Sequence, residues 1–73
     1  KEAPAPSRTE QRREQILDAA YQVFATKGYS ATGIADIANH LKLGHGTVYR
    51  YFENKHDILV AVVARSLTRL VQA

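Results

Sequence analysis

Apolar residues recur at three- and four-residue steps along most of this chain, in four runs separated by short breaks, and no stretch alternates strictly enough to be a strand. That periodicity restricts the fold to an all-α small helical bundle. In the first run, TEQRREQILDAAYQVFATKG, the stripe consists of Ile16, Ala19, Ala20, Val23 and Phe24, widened by Leu17. Ser7 and Thr9 are both candidate N-caps, and Ser7 with Glu10 fits the S-x-x-E capping box. Gly28 is the natural stop, with Lys27 placed against the carbonyl end and Tyr29 set to fold back onto the helix. Thr32 is the expected N-cap of a short second helix through GIADIANHL, with Ile34, Ile37, Ala38 and Leu41 facing inward and Asp36 in the first turn. Lys42 and Leu43 make the next break. Leu43, Val48 and Tyr51 supply the inward face of the third helix, and Asn54, followed by Asp57, caps the fourth. The expected helices cover residues 9–27, 33–40, 45–51 and 55 onward.

Seventy-three residues make one small domain, which buries only about 60% of the surface its unfolded chain exposes. With no cysteine there is neither a disulfide nor a thiolate zinc site, and such an unstapled domain suits the cytoplasm. No apolar run is long enough to span a membrane, and KEAPAPSR has no signal-peptide core, so residues 1–8 are expected to form a disordered arm. The absence of an initiating methionine and of a stop for the fourth helix suggests a piece of a longer protein. Ten Lys and Arg against seven Asp and Glu give a net charge of +3, a mild bias towards polyanions.

The segment LKLGHGTVYRYF locates the function. Gly44 and Gly46 each cost roughly 0.8–1.0 kcal/mol against alanine in a helix interior, whereas Val48, Tyr49, Tyr51 and Phe52 are too dense for a loop. Two short helices joined by a three- or four-residue turn have helix-turn-helix spacing, here over about residues 33–52. In that arrangement the glycines let the backbone approach a duplex closely, and the first amides of the third helix can meet phosphate. Thr47, Tyr49 and Tyr51 offer hydroxyls to phosphate, Arg50 can pair with guanine or phosphate, and His45 can donate to a base or a phosphate. Phe52 belongs to the core, and so does most of Tyr51, with its hydroxyl reaching out, whereas Tyr49 does not. Lys55 opposes the dipole of the fourth helix, which a phosphate bound there explains. Arg12 and Arg13 are either a solvated helix face or contacts to the DNA backbone, and Arg8 is placed to act as an arm on the minor groove or flanking phosphates.

Over residues 10–63, through RREQILDAAYQVFATKGYSAT, IADIA and GHGTVYRYFENKHDIL, the chain resembles the DNA-binding domain of the tetracycline-repressor (TetR) family. The resemblance implies sequence-specific binding of double-stranded DNA by the reading head of a ligand-responsive bacterial regulator, a repressor. It implies a homodimer on a near-palindromic operator, and a C-terminal domain, absent from this chain, that binds a small-molecule effector. Carried over residue by residue, it assigns DNA contacts to His45, Gly46, Thr47, Tyr49, Arg50 and Tyr51, a phosphate to Lys55, and a hydroxyl at the start of the second helix to Thr32. Three positions depart from the pattern. Gly44, at the N-cap, lacks the usual Ser or Thr hydroxyl, Ile34 is apolar where some members have a hydroxyl, and Lys42 stands where glycine is usual and must accept positive φ.

Other chemistries find no support. His40, His45 and His56 match no zinc spacing, so no metal and no cofactor is expected. GHGTVY begins like a dinucleotide loop, but Tyr49 replaces its third glycine and no strand precedes it. No nucleophile has an orienting base, and the chain is not expected to be an enzyme. The alternative class is a helical protein-interaction module docking through helix four. That helix has an early apolar arc, Ile58, Leu59, Val62 and Val63, expected to close the core. A later arc, Leu67, Leu70 and Val71, is turned away and expected to lack cover within the chain.

Overall fold

The computed structural model describes residues 7–72, so the expected arm over residues 1–6 lies outside the described residues. Four helices follow in order: α1 (Arg8–Lys27), α2 (Ile34–Leu41), α3 (His45–Tyr49) and α4 (Lys55–Gln72). The arm was expected to reach residue 8, but Ser7 and Arg8 belong to the helical body. Ser7 Oγ accepts the Glu10 amide at 3.1 Å, and Glu10 Oε1 accepts the Ser7 amide at 2.9 Å. This reciprocal box satisfies two of the amides that a helix start leaves open, and makes Arg8 the first residue of α1.

α1 ends at Gly28, whose φ of 89° is natural to glycine and whose amide donates to the Phe24 carbonyl at 2.8 Å. Tyr29 then folds back as expected, its ring 5.3 Å from that of Phe24. The expected cap at Thr32 is corrected: Gly33 is the N-cap of α2. Its amide donates to Asp36 Oδ2 at 2.8 Å, while Asp36 Oδ1 accepts from Lys27 Nζ at 2.9 Å. A single carboxylate thus closes the start of α2 and ties it to the end of α1. The hydrogen bond from Gly33, then the ammonium of Lys27, hold the Asp36 carboxyl below its ordinary value of 3.8.

The turn after α2 is a Schellman motif, in which the amide of Leu43 donates to Ala38 O at 2.9 Å and that of Lys42 to Asn39 O at 3.1 Å. Lys42 takes φ 59° and ψ 41°, the one positive-φ non-glycine residue among those described, as its replacement of glycine required. α3 is shorter than expected. It closes at Tyr49, and amides of Tyr51 and Phe52 continue the winding by donating to Val48 O. Asn54 Oδ1 accepts the Asp57 amide at 2.8 Å and starts α4.

The core joins Ile16, Leu17, Ala19 and Ala20 of α1 to Ile37 and Ala38 of α2, Val48 of α3, Phe52, and Ile58 and Val62 of α4. Leu59 and Val63 were also expected in that cluster, but Leu59 is half-buried outside it and Val63 is 48% exposed, because the buried stripe of α4 steps from Ile58 to Val62. Beyond Val62 the α1–α4 seam becomes polar. Arg65 Nη1 donates to Glu14 Oε1 at 2.9 Å and lies 2.8 Å from Asp18 Oδ1, and Arg69 reaches Glu14 at 3.7 Å. Burial works against the charge of Arg65, but the two carboxylates outweigh it and hold the guanidinium protonated more firmly than usual. Leu67, Leu70 and Val71, on the later arc, are all exposed.

Candidate nucleic-acid interface

α3 is anchored from behind and open in front. Val48 is fully buried, and the Leu43–Gly44 turn and Phe52 fix its two ends, so the intervening side chains have one available direction. His45, Gly46, Tyr49 and Arg50 are exposed, while Thr47 and Tyr51 are half-buried. Tyr49 is 53% exposed and Tyr51 packs against the core, which matches the division expected from the sequence.

The glycines pose a sharper question. Gly44 has φ −77°, which any residue can adopt, and a Cβ built on either Gly44 or Gly46 meets nothing within 4 Å. Neither backbone conformation nor internal packing therefore requires glycine at these positions.

The six arginines and Lys27 differ in what surrounds them. Lys27, Arg65 and Arg69 are paired with carboxylates. Arg13 lies over the Phe52 ring, 5.3 Å from its centroid. Arg8, Arg12 and Arg50, in contrast, have no carboxylate partner among the described residues, and all three line one cleft between the start of α1 and α3. Thr9, Gln11, Gln15, Thr47 and Tyr51 complete its wall, with no acidic residue in the lining. Arg12, which the sequence left open between solvated face and contact, thus shares a cleft with α3. Arg8 does so as part of a helix and not of an arm.

Two expected site residues have internal partners. Thr32 is 3% exposed, and its hydroxyl donates to the Gly28 carbonyl at 2.7 Å, inside the α1–α2 turn. Lys55 Nζ donates to the Tyr29 carbonyl at 2.9 Å and lies 4.2 Å from the centroid of the Tyr29 ring. These contacts help to offset the unfavourable placement of a lysine in the first turn of α4 and fix where its ammonium lies. Tyr29, which the sequence marked only as a capping contact, is thereby joined to Lys55. No three His, Cys, Asp or Glu side chains among the described residues gather as a metal set. No described helix is long and apolar enough to cross a membrane.

A helix-turn-helix whose outer helix presents glycines, hydroxyls and an unpaired guanidinium beside further arginines has the architecture of DNA-binding domains. Residues 16–62 match the family model described as bacterial regulatory proteins, tetR family, and the chain belongs to that family. The fatty acid metabolism regulator protein of Bacillus subtilis (strain 168) is 36% identical over 58 residues, which cover 80% of this chain and 30% of that protein. The HTH-type transcriptional regulator HbdR of Aromatoleum sp. (strain CIB) is 44% identical over 54 residues, covering 74% of this chain and 24% of its own length. Among solved structures, the fatty acid degradation regulator FadR from Bacillus halodurans superposes with a TM-score of 0.81 at 34% identity, over 97% of this chain and 35% of that one. This chain therefore spans about a third or less of the length of these relatives.

Proposed function

We propose that this chain is the reading head of a dimeric, ligand-responsive transcriptional repressor, placing α3 in the major groove of a near-palindromic operator. Gly46 carries the argument, since no described residue would meet a side chain there and its bare backbone lets a duplex approach α3 closely. In this reading His45, Thr47, Tyr49, Arg50 and Tyr51 contact bases or phosphates. Arg8 and Arg12 hold the adjacent strand, and Lys55 takes a phosphate at the start of α4. Thr32 is left out, because its hydroxyl is engaged within the turn.

The far end of α4 leads towards an effector-binding and dimerising domain, a reading supported by the length of the relatives and by the exposed Leu67, Leu70 and Val71. A small rotation of α4 in the dimer changes the spacing of the two heads, and only a spacing matched to successive grooves lets both dock. Titration of labelled duplex across a salt series tests DNA binding, and selection from a random pool then gives the operator. Salt-dependent binding that Arg50→Ala weakens is expected. Binding that ignores salt but needs Leu67 and Leu70 would overturn the reading in favour of a protein-docking module.

A further inference from the structure

We propose that Tyr29 is a positioning residue for DNA binding, holding the Lys55 ammonium at the phosphate position before DNA arrives. The proposal rests on the DNA-binding reading above and extends it to a residue on a different turn, 26 positions earlier in the chain.

A lysine ammonium is a point charge on a flexible four-carbon stem with three rotatable donors, and ordering it on a phosphate normally counts against binding. Here the ordering has already taken place. The Tyr29 carbonyl accepts one donor at 2.9 Å, and the ring face, 4.2 Å from Nζ at its centroid, supports the charge. A carboxylate partner would neutralise the lysine, whereas a carbonyl and a ring fix its position and leave the positive charge and the remaining donors available.

The platform is itself held from several sides. The same Tyr29 carbonyl accepts the Thr32 amide at 3.1 Å, and the Thr32 hydroxyl closes on Gly28 at 2.7 Å. The Phe24 ring lies 5.3 Å from the Tyr29 ring. Buried Thr32 thus contributes to the site at one remove, by stiffening the turn beneath the lysine. The start of α4 adds its dipole, which favours an anion where Lys55 sits.

The test is a salt series, between about 50 and 200 mM, on the binding of a short random-sequence duplex to the parent and its variants. Lys55→Gln is expected to lower the slope of log affinity against log salt by about 0.9, the value of one phosphate. Tyr29→Leu is expected to weaken binding about two- to fivefold, as loss of a cation–π contact implies, and to move the slope towards that of Lys55→Gln. In the Lys55→Gln background Tyr29→Leu should do nothing further. Tyr29→Phe, which keeps ring and carbonyl, should restore the parent's behaviour.

Should leucine loosen the turn, Tyr29→Met offers a second apolar filler, and the slope still counts phosphates per bound molecule whatever the folded fraction. An unchanged slope in both variants, or an equal loss with and without Lys55, would overturn the positioning role alone. A parent that fails to bind duplex at all overturns the DNA reading itself, and this proposal with it.

Discussion

The outer face of α3 and the far end of α4 are both open to solvent, yet one carries glycines, hydroxyls and a guanidinium and the other aliphatic side chains. Water satisfies the first set, so α3 can stand uncovered and engage a polar partner reversibly. It does not satisfy the second, and Leu67, Leu70 and Val71 forgo roughly 1.5–3 kcal/mol each by remaining exposed. Permanent interfaces are richer in apolar area than transient ones, so the two faces fit different kinds of partner. The division runs along α4 itself, with Ile58 and Val62 in the core and the arc beyond Arg65 outside it.

The largest effect expected lies where α4 closes the core. Ile58 is fully buried, and Ile58→Ala should cost about 2–5 kcal/mol, a large share of the stability of so small a domain. Thermal denaturation checks it. A loss under about 1 kcal/mol would mean that the start of α4 is not part of the core and that the division along the helix is drawn in the wrong place.

Next in size is α3. Arg50→Ala should weaken duplex binding by about 1–3 kcal/mol and, if the guanidinium reads guanine, relax preference at one base pair. Tyr49→Phe should do less and act on all sequences alike, as loss of a phosphate hydroxyl does. Both should leave the melting temperature nearly unchanged, since both residues are exposed. Equal binding by parent and both variants would remove the distinction between the faces.

Gly46→Ala separates stability from function at one residue. A Cβ there meets nothing within 4 Å, so alanine in α3 should stabilise the fold by about 0.8–1.0 kcal/mol. It should also weaken DNA binding by holding the backbone off the duplex. Denaturation and binding measured on the same variant decide the matter, and a gain in both would show that the glycine serves no close approach.

These predictions rest on features that differ in how far the sequence displayed them. Capping at Ser7 and Glu10 and the stop at Gly28 were legible because each depends on neighbours within a few residues, whereas the positive φ of Lys42 was expected only from the family resemblance, which places glycine there. The helical stripes were legible as well, apart from Leu59 and Val63, where a run of consecutive apolar residues hid which ones the helix turned inward. Thr32 was misread as the cap because Gly33 has no side chain to advertise itself, and Asp36 closes the helix start from the other side. The Lys55–Tyr29 contact and the Arg65 seam join residues far apart in the chain, and no local pattern announces such pairs. The family resemblance marked Lys55 as functional, but only packing reveals what holds it.

A smaller effect should appear in acid. The Gly33 amide, then the Lys27 ammonium, depress the Asp36 pKa in the folded state, so its contribution is complete above the ordinary carboxylate value of 3.8 and is lost as pH falls through the lower folded value. Asp36→Asn keeps an acceptor for Gly33 but not the charge. Its melting temperature should trail the parent's at neutral pH, and the gap should close on acidification. A gap that persists at low pH would assign the effect to geometry and not to charge.

The smallest effect expected is close to none, and it tests the comparison most directly. Leu70 is 73% exposed, so Leu70→Ser changes little between the folded and unfolded chain, and its stability should stay within about 0.5 kcal/mol of the parent's. Leu67→Ser should behave alike. A loss of roughly 1.5–3 kcal/mol at either position would mean that the arc is covered, and a second copy of the chain is the available cover. In that case the parent's melting temperature would also rise with protein concentration. In a protein of the relatives' length the same substitutions are expected to destabilise, because the proposed effector domain would then bury this arc. Amide exchange beyond Arg65 should accordingly be fast in this chain and slow in the longer one, while exchange in α3, whose proposed partner is DNA, should be the same in both until duplex is added.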